Sequence, residues 1–237
     1  MTTQSLLTSP HQNHLLSIFP TEIQSRLFSS LEYVDFRLGH VVCESGESSS
    51  HVYFPTDSIV SMLYEMENGS STEISVIGNE GLVGSHLILG GNSCTSRAIV
   101  QSSGSAYRLS AKKMKAEFEG NAEVSSLILR YIQSLTMQIA QTAVCNRHHC
   151  IDQQLCRRLL LSLDRLPGNE LNMTQEVIAN MLGVRREGIT EAAGKLQSQG
   201  VIEYSRGHIT VLDRSKLEEL SCECYAVVKN ESDRLGA

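Results

Sequence analysis

Apolar residues along the chain follow two periods in turn, and the switches between them mark its organisation. Ile23, Leu27 and Leu31 stand at i, i+4 and i+8, which predicts a short helix over Thr21–Leu31. The pattern then breaks into short β-type runs: HVYFP (51–55), SIVSMLY (58–64), TEISVIG (72–78) and SRAIVQ (96–101). Gly, Asn, Asp and Ser separate them at roughly 8–12-residue intervals, as in an antiparallel sandwich or barrel. Nine of the 17 glycines lie between Gly39 and Gly104, where such turns are needed. From Asn121 to Asn146 there is no Gly or Pro, and Val124, Ile128, Ile132, Leu135 and Ile139 recur at helical spacing. One helix of about 25 residues, roughly 38 Å long, is expected.

A second apolar set on that helix, Leu127, Tyr131, Leu135 and Met137, sits partly on another face. A helix apolar on two faces packs against its own domain and against a second body, of which another copy of the chain is the simplest. Ile128, Tyr131, Ile132, Leu135 and Ile139 are the expected dimer contacts; the alternative is a helix buried within one subunit. A further helix follows, with Ile151, Leu155, Leu159 and Leu163 in register, and stops at Leu166-Pro167-Gly168.

The segment after this breaker carries the clearest functional pattern. Thr174 suits a helix N-cap, and Glu176 sits beside the positive end of the helix dipole. Ile178 and Leu182 form an apolar stripe around Ala179, then come Gly183 and Val184. A small residue lets a second helix cross closely, and glycine takes the left-handed conformation of the turn. The second helix is expected over 185–198, with Ile189, Ala192, Ala193 and Leu196 inward and Gly200 as its stop. Arg185, Arg186, Glu187, Thr190 and Glu191 lie on the outer face near its start. A helix so presented fits a DNA major groove, where Arg bonds guanine bidentately and Glu accepts from cytosine N4. VIEYSRGHITVL reads as two strands joined at Ser205-Arg206-Gly207, a wing with a basic tip. Lys195, Arg206 and His208 are phosphate candidates; Thr174 and Gln175 complete the contact set.

Composition first points away from nucleic acid. The chain carries 20 Lys+Arg against 26 Asp+Glu, net −6. Charge by segment changes that: residues 1–144 hold 8 basic and 13 acidic side chains, residues 145–214 hold 9 and 8, and residues 215–237 hold 3 and 5. The motif lies in the one segment that is not acidic, and its weak positive charge predicts low non-specific affinity.

The architecture resembles the Crp/Fnr transcription regulators. The resemblance runs from about Leu15 to Leu212 and is most specific in MTQEVIANMLGVRREGITEAAGKLQSQGVIEYSRGHITV. It implies an α+β fold of two domains: an antiparallel β-sandwich or jelly-roll sensor domain (1–120), a dimerisation helix (121–147) and a winged helix-turn-helix domain (148–237). Within the last, the motif spans 174–198 and the wing 201–212. It further implies a homodimer on a palindromic DNA operator, acting on the transcription machinery, with a possible small-molecule effector in the sensor domain. The family's recognition-helix Arg-Glu pair falls on Arg186 and Glu187. Its third reading position, often Arg, falls on Glu191, and Arg185 replaces a small capping residue.

The effector cassette departs further from the family. Glu80-Gly81-Leu82-Val83-Gly84 matches its approach, but Ser85 stands where Glu holds the ribose. Cys94-Thr95 take the place of Arg-Ser, and Arg97 follows three residues after Cys94. A cyclic phosphate needs an opposing cation or a backbone nest, so Gly84, Ser85, Cys94, Thr95 and Arg97 are not expected to bind cyclic AMP in the usual way. The alternatives are a redox- or metal-responsive regulator and a ligand-independent DNA-binding dimer. Seven cysteines, an odd number, suggest free thiols in a reducing cytoplasm. Cys145, His148, His149 and Cys150 form one soft-ligand group and Cys222-Glu223-Cys224 another. Neither has the spacing of a structural zinc site, so no metal or cofactor is firmly implied. No apolar run approaches the ~18–20 residues that cross a bilayer, and the N-terminus does not resemble a secretory signal. GxxxxGK[ST], HExxH, GxSxG and a helix-opening GxGxxG are all missing, and no nucleophile is paired with a base, which argues against an enzyme.

Overall fold

The computed structural model describes residues 9–234. Two short helices, α1 (His14–Ser17) and α2 (Thr21–Phe28), precede seven strands: β1 (Glu32–Phe36), β2 (Val41–Cys43), β3 (His51–Pro55), β4 (Ile59–Glu65), β5 (Ser71–Ile77), β6 (Arg97–Ser102) and β7 (Gly104–Ser110). Helix α3 (Ser85–Ile88) lies between β5 and β6. The strands form two antiparallel sheets, β1-β7-β3 and β2-β6-β4-β5. Alternation drives Phe36, Val60, Ile77, Ala98, Val100 and Ala106 into the space between them.

Helix α4 (Ala111–Gly120) gives way at Asn121 to the long α5 (Ala122–His148). The Asn121 side chain accepts from the Glu123 and Val124 amides and starts the new helix. Next come α6 (Ile151–Leu163), β8 (Glu170–Asn172), α7 (Gln175–Leu182), α8 (Arg186–Ser198), β9 (Ile202–Ser205), β10 (His208–Val211), α9 (Arg214–Leu220) and α10 (Cys224–Asp233). The wing is a three-stranded sheet, β8-β10-β9, rather than a bare hairpin. Among the described residues, no helix is long and apolar enough to cross a membrane.

The two domains share buried surface. One hydrophobic cluster joins Ile59 and Val76 of the sensor sheet to Leu155, Leu159, Ile178 and Met181 of the C-terminal domain. Helix α6 is therefore buried all round from Gln154 to Leu163, where its sequence suggested a single stripe.

Helix α5 corrects two of the expected dimer contacts. Ile128 and Tyr131 are wholly buried in their own subunit. Tyr131 donates its hydroxyl to the Leu82 carbonyl at 2.8 Å, and its ring fills the space over Gly81. Ile132 and Leu135 are half-buried, and Ile139 is exposed together with Leu129 and Val144.

Candidate nucleic-acid interface and sensor cassette

The helix-turn-helix is built as its residues require. The Thr174 side chain caps α7 by accepting from the Val177 amide. Gly183 takes φ 65° at the end of α7, and Val184 N–H donates back to Ala179 O at 3.0 Å, which closes the helix by a left-handed turn. The buried stripe Ile189, Ala192, Ala193 and Leu196 seats α8 against the domain core. Arg185 occupies the N-cap of α8 without a capping bond from its side chain, so the helix proper begins one residue later than the sequence predicts. Arg206 and Gly207 both have positive φ, 51° and 85°, as a two-residue hairpin turn of type I′ demands. Tyr204 donates its hydroxyl to Met173 O at 2.8 Å and ties the wing to the start of α7.

This framework separates the predicted contact residues into two groups. Arg185, Arg186, Glu187 and Arg206 are exposed and form no ion pair among the described residues. Arg186 and Arg206 line one polar notch with Thr174, Gln175 and Tyr204. The others are engaged within the protein. Thr190 donates to Gln175 at 2.7 Å, which holds the two helices together. Lys195 bridges Asp152 (3.1 Å) and Glu191 (3.0 Å). His208 Nδ1 lies 2.8 Å from Asn172 Oδ1, and its Nε2 is 3.6 Å from Glu170.

The expected cassette residues do not bring a free cation together. Gly84 has φ 98° and opens α3, with Ser85 half-buried as the first residue of that helix. Cys94 is bonded to Cys43 in a disulfide, so these two are not the free thiols expected. Thr95 is exposed. Residues of β6 alternate: Ala98 and Val100 enter the sandwich, whereas Arg97, Ile99 and Gln101 face outward. Arg97 there pairs with Glu44 (3.2 Å) and Glu65 (3.0 Å). In this register Arg97, the cation nearest the cassette in sequence, is held by two carboxylates on the outer face.

The most connected polar groups lie between the domains. Arg158 of α6 forms an ion pair with Glu73 of β5, its Nε 2.7 Å from Oε1, and donates from Nη2 to Oε2 at 2.9 Å; it also donates to Gln101 and Ser162. Ser61 donates to the same carboxylate at 2.6 Å. Burial pushes the Arg158 pKa down, and Glu73 opposes that shift. A second pair joins Arg165 to Glu80 at 2.8 Å. Gln138 of α5 exchanges two hydrogen bonds with the Val76 backbone. Thr72 lies against Gly183 of the turn; a Cβ there would stand 2.9 Å from its hydroxyl oxygen. Strand β5 therefore touches α5, α6 and the helix-turn-helix within six residues.

Two family models match the chain: the cyclic nucleotide-binding domain over residues 33–121 and the Crp-like helix-turn-helix domain over residues 153–220. The chain belongs to the Crp/Fnr family of transcription regulators. Solved structures share the fold at low identity. FixK2 from Bradyrhizobium japonicum is 15% identical with a TM-score of 0.68, covering 81% of this chain and 98% of that one. A putative Crp/Fnr regulator from Eubacterium rectale is 18% identical at 0.68, covering 89% and 98%. The c-di-GMP-responsive regulator CLP of Xanthomonas campestris is 14% identical at 0.62, covering 82% and 100%. No curated protein matches the chain in sequence.

As a Crp/Fnr-type regulator, the chain is a DNA-binding protein with a cyclic-nucleotide-binding-like sensor domain. Sequence reading missed Glu73 and Arg158, which look like ordinary charges at a strand and helix surface. The signal available was Arg157-Arg158 set between Leu155-Cys156 and Leu159-Leu160-Leu161. Cations on such a face are buried only with partners.

Proposed function

We propose that the regulator acts as a homodimer on a palindromic operator, with α8 of each copy in a major groove and the two helices about one DNA turn, ~34 Å, apart. The observation that carries this reading is the set of unpaired side chains at the start of α8 and the wing tip. Arg185, Arg186 and Arg206 stand free of carboxylates in a chain that ties most of its other described arginines into ion pairs or hydrogen bonds. Arg186 and Glu187 read base edges, Arg185 and Thr190 assist, and Arg206 meets phosphate. Lys195 and His208 reach phosphate only by leaving their internal partners.

The dimer reading rests on α5. Leu129, Ile132, Thr136, Ile139 and Ala143 follow the alternating three- and four-residue spacing of a two-helix seam, and Leu129 and Ile139 are 51% and 37% exposed in the single chain. This seam replaces Ile128 and Tyr131. Control passes through β5, whose contacts with α5, α6 and α7 bias the placement of the two motifs. A cyclic phosphate lacks an opposing cation in the cassette, because Arg97 faces two carboxylates. That missing charge partner favours a dimer competent without cyclic AMP. The protein then works in the cytoplasm, through the transcription machinery, as its operator dictates.

Selection of bound DNA from a random pool, with and without cyclic AMP, tests this. A palindrome with half-sites one turn apart, enriched equally in both arms, is expected. Absence of a palindrome defeats the dimeric reading, and enrichment only with cyclic AMP defeats the ligand-independent one.

A further inference from the structure

Four soft side chains from distant parts of the sequence converge at the joint between α5 and the C-terminal domain. Cys145 lies in the last turn of α5, and His149 is the residue that caps its C-terminus, its N–H donating to Cys145 O at 3.0 Å. Cys222 and Cys224 lie at the junction of α9 and α10. The three cysteines are buried and form a cluster separate from the apolar cores. Cys145 Sγ is 3.6 Å from Cys222 Sγ, and Cys224 Sγ is 3.5 Å from His149 Nδ1. All four ligand atoms lie within 4.8 Å of one another.

The two closest separations are those of ligands on one ion. Tetrahedral coordination at ~2.3 Å to sulfur and ~2.0–2.1 Å to nitrogen separates two sulfurs by about 3.8 Å and a sulfur from a nitrogen by about 3.5 Å. An iron–sulfide cluster would have to push the same thiols apart around its own frame. The surroundings are also those of a metal site. His149 Nε2 lies 3.3 Å from Glu223 Oε2, the carboxylate partner that orients a ligating imidazole through its other nitrogen. Gln141 donates to Cys224 Sγ at 3.0 Å. Arg157 is 4% exposed, makes no ion pair among the described residues, leaves its Nε without a partner and acts electrostatically on Cys145. Three thiolates, a neutral imidazole and a divalent ion sum to one negative charge, which that guanidinium offsets.

We infer that Cys145, His149, Cys222 and Cys224 form a mononuclear thiolate-rich metal site, best suited to zinc. Binding releases the three thiol protons to solvent. The ion ties the end of α5 to the tail of the DNA-binding domain across the His149–Cys150 break, and so holds the angle at which the helix-turn-helix leaves the long helix.

The test uses the full chain, purified reduced and without oxygen, then reconstituted with zinc or cobalt(II) alone. About one zinc per chain is expected, with thiolate-to-metal charge transfer and intense tetrahedral d–d bands for cobalt. Cys222→Ser and His149→Ala lose tight zinc, whereas Cys150→Ser and Cys156→Ser keep it. Should the ligand variants fail to fold, the cobalt spectrum of the unaltered protein decides by itself. Lack of thiolate charge transfer, tight zinc retained in Cys222→Ser, or recovery of iron with acid-labile sulfide would each overturn the assignment. DNA affinity is read separately: a protein that binds DNA but takes no zinc refutes the site and leaves the regulator intact.

Discussion

Arg158→Met removes the cation that joins the sensor sheet to α6 while keeping an unbranched side chain in its place. Arg158 and Glu73 are 2% and 7% exposed. Without the guanidinium, Glu73 loses its ion pair and the charge-assisted bond from Nη2, and keeps one bond, from Ser61. Gln101 Oε1 and Ser162 lose a donor as well. Truncating one partner of a buried pair costs about 3–5 kcal/mol, because the remaining charge stays buried. With an m-value of about 3 kcal/mol/M in urea, a loss of 3 kcal/mol lowers the unfolding midpoint by about 1 M. Glu73→Leu should cost a similar amount. The double variant should fall well short of the sum, since both desolvation penalties vanish together; a coupling of about 1–3 kcal/mol is expected. Because one apolar cluster spans both domains, a single transition is expected in the parent. Urea titration followed by circular dichroism measures all four proteins. A midpoint change below about 0.3 M in Arg158→Met, with additive single effects, would show the pair to be solvated and refute β5 as the element that locks the domains.

Three further outcomes follow from the same contacts. Arg186→Ala should weaken operator binding by about 1–3 kcal/mol and relax one base pair; an equal loss on every sequence, in quantitative binding assays, would make it a phosphate contact instead. Ile139→Asp places a charge in the α5 seam and should yield monomers by light scattering after gel filtration, with folding unchanged because Ile139 is exposed in the single chain; a persistent dimer would place the interface elsewhere. Gly81→Ala drives a methyl into the Tyr131 ring and should cost at least about 1–3 kcal/mol by overpacking, read as a fall in Tm; an unchanged Tm would mean that the ring does not rest on Gly81.

Local chemistry was legible wherever it depended on neighbours in sequence. The runs at 51–55, 58–64, 72–78 and 96–101 became β3, β4, β5 and β6 to within a residue or so at each end. The stretch free of Gly and Pro became α5, and Thr174, Gly183 and Arg206-Gly207 formed the cap and turns that their backbone preferences demand. Strand β8 was invisible because three residues carry no period and pair only with the distant wing. What the long helix touches was equally hidden. Helical spacing marks a face as apolar but cannot say whether a sheet of the same chain or a second subunit covers it. Thus Ile128 and Tyr131 proved internal.

Side-chain direction on a strand is set by register, so whether Arg97 could serve the cassette was decided only when β6 placed it on the outer face, against Glu44 and Glu65. The cysteines show the limit most plainly. In sequence, Cys145 groups with its near neighbours and Cys222 with Cys224. Only tertiary packing pairs Cys43 with Cys94 and brings Cys145 beside Cys222 across a separation of 77 residues. Sequence by itself determined strands β3 to β6, helix α5 and the helix-turn-helix with its cap and turns, since those follow from steric and hydrogen-bonding rules over a few residues. Tertiary structure alone decided which groups meet, because that depends on how sheets and helices close over distances no local pattern records.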